Sequence, residues 1–128
     1  MAEVIRQFET GANRDLEGEK LDYEAFFSTR VLSRYAKYMH EHRKIADGTL
    51  RDGDNWQKGI PIEVYQKSLV RHLFQAWGAW RGDNAVDDRG KTIAVETALC
   101  SIVFNAMGYL HELTRQQNPR VLGGGVAK

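Results

Sequence analysis

The chain has almost no cysteine, since Cys100 is the only one among its 128 residues. A single thiol cannot form an internal disulfide, and no Cys-x-x-Cys pair or paired Cys/His spacing typical of zinc sites is present. The sequence therefore excludes a fold held by disulfides or by structural zinc, and it fits a reducing compartment. We expect Cys100 to be a small buried apolar residue.

Long apolar runs are also missing. No stretch approaches the roughly 18 consecutive apolar residues of a membrane span. The opening residues, MAEVIRQFET, lack the apolar core of a signal peptide. We therefore expect a soluble, cytoplasmic protein.

The sequence has no excess of charge of either sign. Its 18 Lys and Arg residues nearly balance 17 Asp and Glu residues, for a formal net charge of +1. Nucleic acids and membranes are therefore poor candidates for partners, and any anion must bind at a local group of cations. The motifs GxxxxGK[ST], GxGxxG, GxSxG and HExxH are absent too.

Helical periodicity dominates what the sequence does contain. It predicts three helices, over about residues 29–42, 61–81 and 91–116. Ser28 is suited to cap the first helix, Pro61 to begin the second, and Gly82 to end it. On the third helix we expect a core stripe of six apolar residues: Leu99, Ile102, Val103, Ala106, Leu110 and Leu113.

No convincing strand pair is present, so the predicted fold class is all-α. We expect an antiparallel bundle of three to four main helices in one domain, 1–128, with a short helical turn near residues 21–27 and loose termini at about 1–18 and 118–128. The apolar faces are wider than one small bundle needs. This surplus favours a homo-oligomer, a dimer or a tetramer.

The segment Arg51–His72 holds the densest set of reactive side chains. Its loop combines acids, an amide, an indole and a lysine, and the helix that follows presents Ser68, Arg71 and His72. Such a set could hold a metal ion, phosphates and an aromatic ring together. Trp56 could stack on a base or fill a gap in the core, and His72 could be a functional group or a half-buried structural histidine.

The third helix carries further candidates. Glu96 lies one turn before the apolar stripe, where a carboxylate is costly to bury unless it is paired or bound to metal, although an edge position in contact with water is equally open. Asn105 and Glu112 are seven residues apart and share a face, which could be a binding wall or a solvated stripe. Upstream, the sequence has Lys20, Asp22 and Glu24 at alternate positions. Whether their side chains point the same way depends on the local backbone structure.

Several segments of the sequence resemble a known family. This is the bacteriophage family described as the N-terminal domain of dATP/dGTP diphosphohydrolases, and the similar segments are TGANRDLEGEKLDYEAFFS, RYAKYMHEHR, DGTLRDGDNWQKGIP, SLVRH and ALCSIVFNAMGYLHE. That family is associated with the MazG-like, all-α nucleotide pyrophosphatases. The resemblance extends from about Thr10 to Leu113.

The resemblance implies an enzyme that hydrolyses a purine deoxynucleoside triphosphate, dGTP or dATP, to the monophosphate and pyrophosphate. Such an enzyme adjusts the nucleotide pool of a phage in the host cytoplasm. The implied cofactor is Mg²⁺, with Mn²⁺ as the alternative ion.

The resemblance also implies roles for individual residues. The implied metal ligands are Asp22, Glu24, Asp54 and Glu96. The implied catalytic residues are Glu96 and His72, and the implied substrate-binding residues are Lys20, Arg51, Asn55, Trp56, Lys58, Arg71 and Asn105.

A second interpretation is a non-catalytic helical module that binds nucleotides or a protein. MazG-like enzymes usually carry a Glu-x-x-Glu pair on one helix and a Glu-x-x-Asp pair on the next. Here Leu99 follows Glu96 at the third position, and the second helix has Ser68, Arg71 and His72 instead. This departure favours the module.

Overall fold

The computed structural model describes residues 5–15 and 20–117. They form a two-stranded sheet, a short 3-10 helix and three α-helices: β1 Ile5–Gln7, β2 Asn13–Asp15, α1 Thr29–Glu41, the 3-10 helix Asn55–Lys58, α2 Ile62–Trp80 and α3 Val95–Gln117. The chain divides into two compact units, Met1–Leu32 and Ser33–Lys128. The terminus 118–128, predicted to be loose, lies outside the described residues.

The small sheet corrects the expectation that no strands pair. β1 and β2 are antiparallel, with Arg6 opposite Arg14. The turn between them is closed by the N–H of Phe8, which donates to the carbonyl of Ala12 at 2.8 Å, and Gly11 supplies a positive φ of 93°. Three-residue strands leave too little alternation for a sequence pattern to show. Part of the segment 1–18, expected to be loose, is therefore a hairpin.

The predicted cap of α1 is confirmed. Ser28 Oγ accepts a hydrogen bond from the N–H of Val31 at 3.2 Å, which satisfies one of the free donors of the first turn. Before this cap, the carboxylate of Asp22 accepts from the N–H of Ala25 at 2.9 Å. Residues 23–26 are turns, so the predicted helical turn is present only as an irregular one.

The limits of α2 also follow the prediction. Pro61 directly precedes the helix, and Gly82 follows it with φ of 101°. α3 begins at Val95 rather than near Lys91, because Lys91 is held in the preceding loop. There the carboxylate of Asp87 accepts from the N–H groups of Arg89 and Lys91, both at 2.9 Å.

The helices of the second unit pack through α3. The beginning of α2 lies beside the middle of α3, where the rings of Tyr65 and Phe104 are 5.9 Å apart and Tyr65 rests on Gly108. α1 runs in the same direction as α3, since Arg34 contacts Glu96 and, one turn later, Tyr38 contacts Ser101.

The inward face of α3 is the main correction to the sequence analysis. Of the predicted core stripe, Leu99, Val103 and Leu110 are exposed. The buried residues are Ala98, Cys100, Ser101, Asn105, Gly108 and Glu112. The helix is turned so that a largely polar face points inward, while its most apolar row lies at the surface. Cys100 is buried, as predicted.

Within residues 5–15 and 20–117, none of the helices has both the length and the apolar character needed to cross a membrane.

Candidate functional site

The inward side of α3 forms a buried polar face, which we define as Ser101, Asn105, Gly108 and Glu112 together with Tyr65 from α2. The four α3 residues follow a spacing of four, three and four, so they lie in one row along the helix. Interiors of small domains are usually filled by aliphatic side chains. A row of polar groups in that position is therefore the most informative feature of the structure.

One end of the face is held by hydrogen bonds. The hydroxyls of Tyr38 and Ser101 are 2.6 Å apart, and the amide nitrogen of Asn105 donates to the carbonyl of Ser101 at 2.7 Å. The bond to Ser101 fixes the Asn105 side chain along its own helix. The first turn of the face is thus a rigid support.

Glu112, at the other end, has only half of its hydrogen-bonding capacity satisfied. Its side chain is only 3% exposed, and Oε1 accepts from the guanidinium of Arg115. Its second oxygen, Oε2, is buried and has no hydrogen-bond partner among the described residues. An unpaired oxygen on a buried carboxylate costs at least about 1–3 kcal/mol, so this atom needs a donor that the described part of the chain does not supply.

The hydroxyl of Tyr65 is in a similar situation. The residue is 1% exposed, and its hydroxyl has no hydrogen-bond partner among residues 5–15 and 20–117. Its ring lies directly on Gly108, where a Cβ atom would overlap it. Burial raises the pKa of Tyr65, and the charge of Glu112 adds to the increase. The phenol therefore stays protonated and can donate a hydrogen bond.

Tyr35 on α1 adds a second buried hydroxyl without a partner among the described residues. Burial is the main cause that raises the pKa of Tyr35 to about 12, and the nearby Tyr38 adds to the increase. Burial also raises the pKa of Tyr38, although its hydrogen bond with Ser101 opposes the increase. All three tyrosines therefore remain neutral at physiological pH.

Together these groups offer both acceptors and donors of hydrogen bonds. Glu112 Oε2 accepts hydrogen bonds, the Tyr65 hydroxyl donates or accepts, and the Asn105 side chain lies in the same row. Amino and imino groups on the edge of a purine are donors that match a free carboxylate oxygen.

The central loop is held to α3 through an aromatic contact. The ring of Trp56 meets His111 edge-on, with centroids 4.8 Å apart, and Trp56 is half-buried. Trp56 was predicted either to stack on a base or to fill a gap in the core. This contact matches the second role, because it packs the loop against the helix. Beside it, Asn55 is half-buried and Asp54 is exposed.

The cations of the loop lie at the surface. Lys58 is 3.8 Å from the carboxylate of Asp52, with both side chains exposed. The backbone carbonyl of Arg51 accepts from Arg43 Nε at 2.8 Å, and Arg51 itself is exposed. Arg51 and Lys58, two of the predicted substrate-binding residues, therefore lie at the surface.

On α2, His72 binds Gln75 rather than an acid. His72 Nδ1 and Gln75 Oε1 are 2.8 Å apart, and Gln75 Nε2 donates to the carbonyl of Val86 at 2.9 Å. The pair ties α2 to the loop before α3. The neighbouring Arg71 is exposed and lies 3.3 Å from Ser68 Oγ.

Glu96, the predicted metal ligand and catalytic residue, lies at the surface at the start of α3. Its side chain is 67% exposed and accepts from Arg34 Nε at 2.9 Å. This hydrogen bond raises the pKa of Arg34 above its ordinary value. The contact matches the edge position that the sequence analysis left open.

The remaining predicted ligands do not complete a metal site. Asp22, Glu24 and Lys20 belong to the first unit, where Asp22 binds the backbone of Ala25. Within residues 5–15 and 20–117, no three His, Cys, Asp or Glu side chains form a group that could hold a metal ion. The residues described therefore do not form a complete Mg²⁺ site.

Sequence reasoning left Glu112 and Tyr65 out of the site. The spacing of Asn105 and Glu112 placed them on one face, but spacing alone does not tell which face points inward. A usable signal was Gly108, which lies between them in the middle of a long helix. Glycine at such a position is unfavourable unless another group must approach closely.

Comparisons of the chain with models of protein families, with curated proteins and with solved structures give no match.

Proposed function

We propose that this chain is a MazG-like diphosphohydrolase that converts a purine nucleoside triphosphate, dGTP or dATP, to the monophosphate and pyrophosphate. Water attacks the α-phosphorus, the bond to the bridging oxygen of the β-phosphate breaks, and pyrophosphate leaves. The proposal places the enzyme in the host cytoplasm, adjusting the nucleotide pool of a phage. It rests on the resemblance of sequence segments to the diphosphohydrolase family, together with the buried polar face.

The single observation that carries the proposal is the unsatisfied pair on that face. Glu112 Oε2 and the Tyr65 hydroxyl are buried without hydrogen-bond partners among the described residues. Burying unpaired polar groups costs stability, and such groups are retained at functional sites. A purine edge supplies the donor that the carboxylate lacks. Asn105 and Glu112 also stand in the FNAMGYLHE word that carries the resemblance.

The triphosphate requires positive charge, which the surface around the central loop can provide. Arg51, Lys58 and Arg71 are exposed and carry charges suited to phosphate oxygens. A divalent cation, Mg²⁺ or Mn²⁺, remains part of the proposal, because phosphoanhydride hydrolysis commonly uses one to neutralise the phosphates.

Pyrophosphate release tests the proposal. The folded protein is assayed with the four deoxynucleoside and four ribonucleoside triphosphates, in Mg²⁺, in Mn²⁺ and in a chelator. We expect turnover of a purine nucleotide that requires a divalent ion. Glu112→Gln should lower kcat/KM by about 10–100-fold, the worth of one charge-assisted hydrogen bond.

Glu41→Gln is the matched control, because Glu41 is an exposed acid on α1 outside the site. It should retain full activity. If folded wild-type protein turns over no purine nucleotide under any of these conditions, the enzymatic proposal fails.

The second candidate is the non-catalytic module that binds a nucleotide. It is favoured by the exposed, ion-paired Glu96 and by the missing glutamate pair on α2. Calorimetric titration of dGTP and dATP with and without Mg²⁺, on wild type and on Glu96→Gln, separates the two. Binding that ignores both the metal and the substitution, without turnover, supports the module.

A further inference from the structure

Among the described residues, the central loop, residues 51–60, is hydrogen-bonded to the rest of the second unit only at its start. The N–H of Arg51 donates to the carbonyl of Arg43, and Arg43 Nε donates to the carbonyl of Arg51, both at 2.8 Å. From Asp52 to Gly59, the hydrogen bonds that the described residues make all close within the loop. The loop can therefore move as one piece without breaking a hydrogen bond to another element.

Two side-chain contacts hold the loop against α3. The ring of Trp56 meets His111 edge-on, with centroids 4.8 Å apart. One turn later on α3, Arg115 Nη2 lies 3.7 Å from the position that a Cβ atom on Gly59 would take. His111 and Arg115 are four residues apart and share one face of the helix, so the loop rests on that face.

The same contacts lie beside the buried polar face. The guanidinium of Arg115 that reaches Gly59 also donates to Glu112 Oε1. Tyr65, whose hydroxyl lacks a partner among the described residues, stands on the first turn of α2, directly after the loop. The side chain of Glu112 is 3% exposed, so a ligand reaches its second oxygen, Oε2, only when a covering segment moves away.

We propose that the central loop is a lid over the buried polar face, latched by Arg115 and by the ring contact of Trp56. Glycines near both ends can absorb the change in backbone angles, since a Cβ on Gly53 would meet no atom within 4 Å and Gly59 already has a φ of 116°. Arg115 is a positioning residue with two tasks, because it orients Glu112 and holds the lid closed. The inference rests on the proposed function, since it concerns how a base enters that site.

Lifting the loop is the least costly way to open the face. The alternative is to separate α2 from α3, which pulls the ring of Tyr65 off Gly108, where it lies in direct contact. Separation also breaks the hydrogen bond from Gln66 Nε2 to the hydroxyl of Tyr109 at 2.9 Å. Lifting the loop breaks only an edge-on ring contact and the contact of a half-exposed guanidinium.

Acrylamide quenching of Trp56 fluorescence tests the latch without a nucleotide. The chain has three tryptophans, and Trp77→Phe with Trp80→Phe leaves Trp56 as the only indole. In this background Arg115→Gln should raise the quenching constant about 2-fold or more, because Trp56 passes from half-buried to exposed. Arg81→Gln, at an exposed arginine after α2, is the matched control and should leave the quenching constant unchanged. Far-UV circular dichroism checks that the variants remain helical.

Stopped-flow binding of a fluorescent, non-hydrolysable dGTP or dATP analogue tests the lid in a chain that keeps all its tryptophans. Because the lid must lift before the base enters, the observed rate should reach a plateau at high analogue concentration, equal to the rate of opening. Arg115→Gln should raise this plateau at least about 10-fold, since it removes a charged contact that keeps the lid closed. A residue that only supported Glu112 would instead speed dissociation and leave the plateau unchanged.

The two measurements separate failure of the lid from failure of the proposed function. Equal quenching of Trp56 in the Arg115→Gln variant and its parent, or a plateau that Arg115→Gln leaves unchanged, would overturn the lid. Exposure of Trp56 in Arg115→Gln without binding of either analogue would support the lid and reject the proposed function.

Discussion

At the residue scale, the structure depends on the contact between Tyr65 and Gly108. The ring of Tyr65 occupies the space that any Cβ at position 108 would need. This contact lets α2 approach α3 closely and brings the Tyr65 hydroxyl to the buried polar face. A helical glycine otherwise costs about 1 kcal/mol relative to alanine, so the contact explains its presence.

Gly108→Ala should therefore destabilise the protein by about 1–3 kcal/mol, because the methyl group forces the ring or the helix to move. Gly78→Ala on α2 is the matched control, since its nearest neighbour, Asp83 Cβ, lies at an ordinary 3.8 Å. That variant should be neutral or more stable by up to about 1 kcal/mol. Urea unfolding measures both, and an equal response of the two positions would contradict the packing described.

The buried tyrosines predict a loss of stability in alkali. The pKa of Tyr35 is raised to about 12, above the value near 10 expected in the unfolded chain. The neutral phenol is therefore favoured by folding. The contribution of the Tyr35 phenol to the free energy of unfolding is complete below pH about 10 and is lost as the pH rises through about 12.

The free energy of unfolding, measured in urea from pH 8 to pH 12, should fall above pH 10. Tyr35→Phe removes the ionisable hydroxyl and should show a smaller decrease than wild type. Tyr23→Phe, at an exposed ring, should follow wild type. Identical pH profiles for Tyr35→Phe and wild type would show that this phenol does not couple ionisation to folding.

At the scale of elements, the sequence predicts where helices begin and end better than which way they face. Ser28 and Gly82 act through local backbone chemistry, so their roles can be read from neighbouring residues alone. On α3, however, the polar row through Asn105 and the apolar row through Val103 have similar helical spacing. Ordinary burial rules place the apolar row inside, and this chain places the polar row there.

The same reasoning explains which parts of the site were predicted. Asn105 and His72 were chosen for their type and spacing, and both are at least half-buried within the second unit. Glu96 was chosen because it borders an expected core stripe, and that stripe lies at the surface. Glu112 shares a face with Asn105, but the sequence leaves that face open as a binding wall or a solvated stripe, because spacing does not tell which face points inward.

The cap of α1 gives a prediction at this scale. Ser28→Ala removes the acceptor for the N–H of Val31 and should cost about 0.5–2 kcal/mol. Ser33→Ala, an exposed serine inside the same helix, should leave stability unchanged or slightly higher, because alanine is the better helix former. Thermal unfolding of both variants checks the difference, and a Ser28→Ala protein as stable as wild type would argue against the cap.

At the scale of the whole molecule, residues 5–15 and 20–117 bury Ser101, Asn105 and Glu112 while many of their large apolar side chains are exposed. We infer that folding and association are coupled. The melting temperature of wild type should then rise with protein concentration, because mass action favours the associated state. Leu110→Arg should melt lower, with a melting temperature that does not change with concentration. A wild-type melting temperature that is constant over a 100-fold range of concentration would contradict the coupling.

The proposal that the buried polar face recognises the base of a purine nucleotide can be tested directly by a crystal structure of the protein with a non-hydrolysable dGTP or dATP analogue. We expect a purine edge atom within hydrogen-bond distance of Glu112 Oε2, with the Tyr65 hydroxyl also bound to the ligand or to an ordered water beside it. A nucleotide held only on the outer surface, with Glu112 bonded to Arg115 alone, would contradict it.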